Sequence, residues 1–181
     1  MQNLTIKDGW LNQRTVLSPH FSERPNTDDI SLLVIHYISL PPDEFGGDFI
    51  DRFFQGRLDP AAHPYFEEIK DLRVSAHCLI NREGDITQYV NFNEMAWHAG
   101  ISSFQGREKC NEFSIGIELE GSNNQPFTQA QYRSLAALTR QIMRHYPQIT
   151  AERIVGHSDI APDRKIDPGQ YFDWDYYRSL L

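Results

Sequence analysis

The segment Gly156–Gly169 reads GHSDIAPDRKIDPG and sets one histidine, three aspartates, one arginine and one lysine within fourteen residues. A solvated polar loop is the plain reading of such a run. Ala-Pro-Asp and Asp-Pro-Gly, however, restrict the backbone instead of loosening it. A stiff loop after a strand suits a metal ligand or a catalytic base. Two histidines on separate strand ends, with one carboxylate, would make the open three-ligand site typical of catalytic zinc. Zinc brings the pKa of the water it holds to about 7, so hydroxide forms near neutrality. Arg164 and Lys165 are fixed cations in the same loop and could stabilise a tetrahedral oxyanion or bind a carboxylate.

Seven histidines are available, at 20, 36, 63, 77, 98, 145 and 157. Taken singly, His36, His77 and His98 read as core histidines with one satisfied ring nitrogen. His145, near the end of an expected helix, complements the helix dipole. His20 and His63 are flanked by prolines and read as loop residues. Glu118 and Glu120 share one face of an expected strand whose other face is apolar. Either could act as acid or base beside a metal-bound water. Solvated carboxylates on a half-exposed strand are the competing reading.

The elements that must position these groups follow from pattern. Ser31–Tyr37 (SLLVIHY) is apolar and β-branched and predicts a buried strand, stopped by Pro41-Pro42. Val74–Ile80 and Asp85–Val90 predict a hairpin, with Gly84 supplying a positive φ. Phe113–Glu120 (FSIGIELE) predicts a third strand with Ile115, Ile117 and Leu119 on one face and Ser114, Gly116, Glu118 and Glu120 on the other. Arg153–Val155 predicts a short strand leading to His157. Thr128–Tyr146 predicts an amphipathic helix, opened by a Thr128/Gln131 capping box and closed by Pro147. Shorter helices are expected over 48–54, 64–71 and 172–181, and the first thirty residues read as mostly irregular. The fold class is α/β or α+β, with one central mixed sheet flanked by helices.

The chain has 181 residues, with 17 basic and 25 acidic side chains and a formal net charge of −8. That length suits a single domain with a core large enough to need no disulfide. The acidic balance argues against broad nucleic-acid binding and against a polybasic membrane anchor. No signal peptide and no membrane helix is visible. Cys78 and Cys110 form no disulfide framework and no CxxC pair. A cytoplasmic protein is therefore expected, with no obligate protein partner evident. The long connection from Asp43 to Pro64 reads as a mobile lid or binding loop.

Five blocks, SLLVIHYISLPPDEFGG (31–47), LRVSAHCLI (72–80), AWHAG (96–100), FSIGIELEG (113–121) and GHSDIAPDRKIDPG (156–169), occur in an order specific to one family. The chain resembles the zinc N-acetylmuramoyl-L-alanine amidases, a superfamily that includes peptidoglycan recognition proteins. Within it, the chain resembles the AmpD-type anhydro-muramyl amidases of peptidoglycan recycling. The likeness runs from Gly9-Trp10 to the final FDW at 172–174. It implies Zn2+ held by His36, His157 and Asp167, with Glu118 as catalytic carboxylate and Lys165 facing the oxyanion. His77 and His98 are left as non-ligands in supporting or substrate-contacting roles. Arg73, Lys109 and Arg164 are the implied cations for a carboxylate-rich stem peptide. Trp97 is the implied apolar platform and the Ala161 backbone a peptide partner. Without the resemblance, Arg73 and Lys109 read as surface charge and Trp97 as a core aromatic.

Four positions depart from the family pattern. Tyr37 stands where Asn is expected, Asp43 for Gly, Ser158 for Cys and Lys109 for Arg. Lysine is a point donor and not a fork, which weakens bidentate recognition at 109. The expected reaction is hydrolysis of the amide between the lactyl group of an anhydro-muramic sugar and L-alanine, on a small-molecule muropeptide in the cytoplasm. The alternatives are a secreted or broad-specificity wall amidase and a non-catalytic peptidoglycan-binding module. All 181 residues are expected to form one catalytic domain.

Overall fold

The two longest apolar runs become neighbouring strands. In the computed structural model, which describes residues 4–181, six strands form the central sheet. They are β1 (Arg14–Thr15), β2 (Leu32–Ile38), β3 (Cys78–Ile80), β4 (Ile86–Gln88), β5 (Ser114–Glu120) and β6 (Ile154–Gly156), in the spatial order β6-β2-β5-β3-β4-β1. β2 lies parallel between β6 and β5, and β5 lies parallel to β3. The β3–β4 hairpin is antiparallel and β1 runs parallel to β4, so the sheet is mixed. Gly84 turns the hairpin with φ +88°, which spares any side chain the left-handed region. Shorter ribbons pair Ile6–Lys7 with Trp10–Leu11 and Phe21–Glu23 with Glu94–Ala96. Residues 4–30 are thus more ordered than their composition suggests.

The parallel centre of the sheet is covered on both faces. The helices are α1 (Phe49–Phe54), α2 (Pro64–Ile69), α3 (Gln129–His145), α4 (His157–Ile160) and α5 (Trp174–Ser179). On one face, Leu33, Ile35, Ile115, Ile117 and Leu119 form a core with Leu135 and Ile142 of α3 and Tyr177 of α5. α3 opens as its sequence predicts. Gln131 N donates to Thr128 Oγ1 at 3.1 Å and Thr128 N donates to Gln131 Oε1 at 3.0 Å. Such caps stabilise a helix by about 0.5–2 kcal/mol.

The opposite face carries two smaller apolar clusters. Leu32, Val34, Ala99, Phe113 and Ile160 form one. Leu40, Phe53, Phe54, Phe66 and Leu79 form the other. His36 and Glu118 project from this same face of the sheet.

The strand expected over 74–80 is ordered into the sheet only from Cys78. The reason is local. The His77 ring takes the Gly116 N–H on its Nδ1 at 3.0 Å, while Ser75 N turns away to Trp97 O at 3.1 Å. Both cysteines are buried and free. Among the described residues no helix is long and apolar enough to cross a membrane.

Candidate metal centre and active site

Strand register brings the first two functional groups together. Glu118 of β5 is the direct partner of His36 of β2. Both side chains leave the sheet on the face away from α3. The rigid loop after β6 supplies the rest. His157 opens α4, and Ser158 N donates to Asp167 O at 2.9 Å, tying the end of the loop to its start.

Three buried donor atoms converge here. His36 Nδ1, His157 Nδ1 and Asp167 Oδ2 form a triangle with all three sides 3.0 Å. The surroundings fix what these atoms offer. His157 Nε2 lies 3.0 Å from Ala99 O, an acceptor only, so its proton sits on Nε2 and its Nδ1 presents a lone pair. Burial lowers the pKa of His36 and outweighs the raising effect of Asp167. Burial pushes the Asp167 carboxyl up, but the imidazoles of His157 and His36 set against its Oδ2 win and hold it well below the usual range. Two imidazole nitrogens and a carboxylate oxygen that converge on one point fit a cation. Two nitrogens and one oxygen suit zinc, with a fourth position open.

Glu118 is half-buried, and its Oε2 atom is enclosed without a hydrogen-bond partner. Burial, then the Asp167 charge, raise its pKa well above the ordinary carboxyl value, with Lys165 acting in the opposite sense. A carboxyl so placed can take or give a proton to a group bound beside it. Glu120 has a different task. Its carboxylate accepts from Gly46 N at 2.5 Å and from Arg82 N at 3.1 Å, anchoring loops instead of facing the site. The two glutamates, equivalent from the alternation alone, are thus set apart: Glu118 lines the cavity and Glu120 does not. Lys165 lines the cavity with Glu118. Its ammonium has no hydrogen bond or salt bridge among the described residues.

The cavity holds about 600 Å³ and is lined by His36, Trp97, Glu118, His157, Lys165 and Asp167 among others. The wall opposite comes from Leu40, Phe53, Phe54 and Tyr65, within or next to the 43–64 segment. Trp97 is half-buried, donates through Nε1 to Ser22 Oγ at 2.9 Å, and stacks on His20 at 6.0 Å and 13°. His20 is a loop residue, as Pro19 suggested, but a buried one that supports the indole; its Nδ1 lies 3.1 Å from Val74 O. Arg164 lines the cavity while donating to Ala99 O at 2.6 Å and Ile101 O at 2.8 Å. Lys109 and Ala161 line a neighbouring groove of about 580 Å³ that meets the cavity at Arg164. Arg73 lines neither, and its guanidinium caps Lys70 O and Leu72 O at 2.9 and 3.0 Å.

Ala99 O serves His157 and Arg164 at once, and the Ala99 and His98 amides bind Asn111 Oδ1. Asn111 and Ser114 carry no signal of their own in the sequence. Asp43, where the family pattern has glycine, adopts φ +65° and is held by Asn124 Nδ2 at 2.9 Å. Aspartate tolerates this region better than most residues.

The N-acetylmuramoyl-L-alanine amidase family model matches residues 26–170. A relative from Haemophilus influenzae, described as 1,6-anhydro-N-acetylmuramyl-L-alanine amidase AmpD, is 72% identical over 177 residues, covering 97% of this chain and 96% of that protein. A crystal structure of a selenomethionine AmpD derivative superposes with TM-score 0.95 at 57% identity, covering 97% of this chain and 98% of that one. The Escherichia coli amidase AmiD in complex with anhydro-N-acetylmuramic acid-L-Ala-D-γ-Glu-L-Lys superposes with TM-score 0.62 at 30% identity, covering 99% of this chain and 66% of that one. A converging His-His-Asp triangle beside a carboxyl held in reserve thus sits on the fold and sequence of one enzyme class, and the chain belongs to the N-acetylmuramoyl-L-alanine amidase family, alongside the AmpD-type proteins.

Proposed function

We propose that this protein is a zinc-dependent amidase that releases L-alanine-headed stem peptides from 1,6-anhydro-N-acetylmuramic acid. The observation that carries the reading is Glu118: a carboxyl with one enclosed, unpartnered oxygen beside the triangle of His36, His157 and Asp167. The likeness to the AmpD-type relative and to the AmiD complex supports this substrate class.

His36, His157 and Asp167 would hold the zinc. The ion supplies a Lewis acid and a water made acidic enough to attack near neutral pH. Glu118 accepts the proton of the attacking water and then returns it to the alanine nitrogen as the C–N bond breaks. The products are the lactyl carboxylate of the sugar and a peptide with a free amino group. Lys165 balances the charge that develops on the carbonyl oxygen. Trp97, backed by His20, offers a flat apolar surface to the ligand. Arg164, with Lys109 and the Ala161 backbone in the adjoining groove, receives the carboxylates of the stem peptide. Arg73 stands outside both hollows and serves as a longer-range attraction.

The described residues act as one catalytic domain, and the 43–64 segment is a lid whose α1 forms one wall of the cavity. The working compartment is the cytoplasm, consistent with two buried free thiols. Incubation with anhydro-muropeptide and with intact peptidoglycan, each with and without chelator, tests the reading. Chelator-sensitive release of anhydro-sugar from the soluble substrate alone is expected. Equal release from intact wall would favour a broad wall amidase, and no release from either a binding module.

A further inference from the structure

A neutral imidazole has one N–H, so a histidine that offers Nδ1 to a metal must carry its proton on Nε2 and needs an acceptor there. His157 meets this need with the Ala99 carbonyl. For His36 the partner is another ring: its Nε2 lies 2.9 Å from His98 Nδ1. The two rings meet edge to face, at 84° and 5.0 Å between centroids. The far nitrogen of His98, Nε2, lies 3.1 Å from Ser114 Oγ.

The seat of His98 is cut into β5. A Cβ on Gly116 would lie 2.4 Å from His98 Cγ, so the ring occupies the place where any other residue would put its side chain. Gly116 is itself fixed, with its N–H on His77 Nδ1 and its carbonyl taking His77 N, both at 3.0 Å. Ser114, Gly116 and Glu118 share one face of the strand. The first holds His98 by hydrogen bond, the second gives it room and the third enters the active site.

We propose that His98, seated on Gly116 and tied to Ser114, is the positioning residue that fixes the ring plane and the Nε2–H tautomer of the metal ligand His36. This inference rests on the metal-centre reading above. The Ser114 hydroxyl can accept the proton of His98 Nε2, which leaves His98 Nδ1 as the acceptor that His36 Nε2–H needs.

The test compares zinc affinity, by chelator competition on the metal-free protein, with imidazole ¹⁵N–¹H spectra that report each ring's tautomer. Wild-type protein that binds no zinc overturns the metal-centre reading itself, before His98 is examined. With zinc bound to wild type, His36 is expected to carry its proton on Nε2. His98→Phe fills the same seat without an acceptor and is expected to lower zinc affinity about 10- to 100-fold and to lose the single His36 tautomer. His98→Gln returns an acceptor and is expected to recover much of both. A Phe variant within about twofold of wild type, with the His36 tautomer unchanged, overturns the proposal. Equal losses in the Phe and Gln variants with the tautomer unchanged would reduce His98 to a space-filler and overturn it too. Should the Phe variant not fold, Ser114→Ala carries the test, because it keeps both rings; unaltered His36 and His98 ring signals would then overturn it.

Discussion

Glu118 and His36 stand directly opposite one another on adjacent parallel strands. The Glu118 carboxyl is thereby set beside the His36 ring by backbone pairing, independently of any mobile loop. Parallel pairing holds this relationship through every hydrogen bond of the two longest strands, so the pair is as rigid as the centre of the sheet.

Replacing Glu118 by Gln should separate chemistry from metal binding. Glu118 is not part of the converging triangle, so zinc affinity should change little. Turnover should fall by about 10² to 10⁴, the usual contribution of a positioned acid–base group. Paired zinc titrations and steady-state rates check this, and near-normal turnover would remove Glu118 from the role of base.

The same variant carries a pH signature in the metal-free protein. Burial keeps the proton on Glu118 well above the pH, about 4.3, at which an unfolded chain gives it up. The folded state then binds more protons than the unfolded one, and stability falls as pH rises from that value toward the folded pKa. Glu118→Gln removes this slope. Thermal melts should show the variant more stable than the parent at neutral pH and nearly equal to it at pH values below both pKa values.

Lys165→Ala should lower kcat by about 10² to 10³ with little change in KM, the pattern for a group that acts on charge formed only in the transition state. A loss confined to KM would instead assign Lys165 to ground-state binding.

Chelation should abolish activity and lower the melting temperature, and added zinc should restore both. Without a cation, two nitrogen lone pairs and a carboxylate oxygen face one another across 3.0 Å unless one proton is shared among them. Activity that survives exhaustive chelation would exclude zinc from the reaction.

Segment 43–64 should exchange its amide hydrogens faster than β2 and β5, and should slow when ligand binds. Its tethers are few at one end: Gly46 N on Glu120 and Asp43 on Asn124. Its α1 end is held by the buried Ile50, Phe53 and Phe54. Exchange as slow as in the central strands, with or without ligand, would rule out a lid.

What the sequence made legible was local or block-like. The apolar run of β2, the alternation of β5 and the Thr128/Gln131 box of α3 each depend on neighbouring residues, and each forms as its pattern requires. The five ordered blocks carried the family, and with it the convergence of His36, His157 and Asp167. What stayed hidden depends on contacts far apart in the chain. No pattern shows that Glu120 is taken by Gly46 and Arg82, that His20 supports Trp97, or that Gly116 is a glycine because His98 lies on it. Arg73 shows the converse. Its charge suggested a ligand contact, but its nearest acceptors are carbonyls of its own turn.

The triangle of donors also has a history in time. His36 is 121 positions from His157 and 131 from Asp167, and the three meet only after β6 has docked against β2. Closing so long a stretch of chain costs entropy that no local contact repays early in folding. The site is thus complete only when the long-range β6–β2 pairing is in place. An ion held at the triangle with full affinity would then report that these two distant segments have found each other.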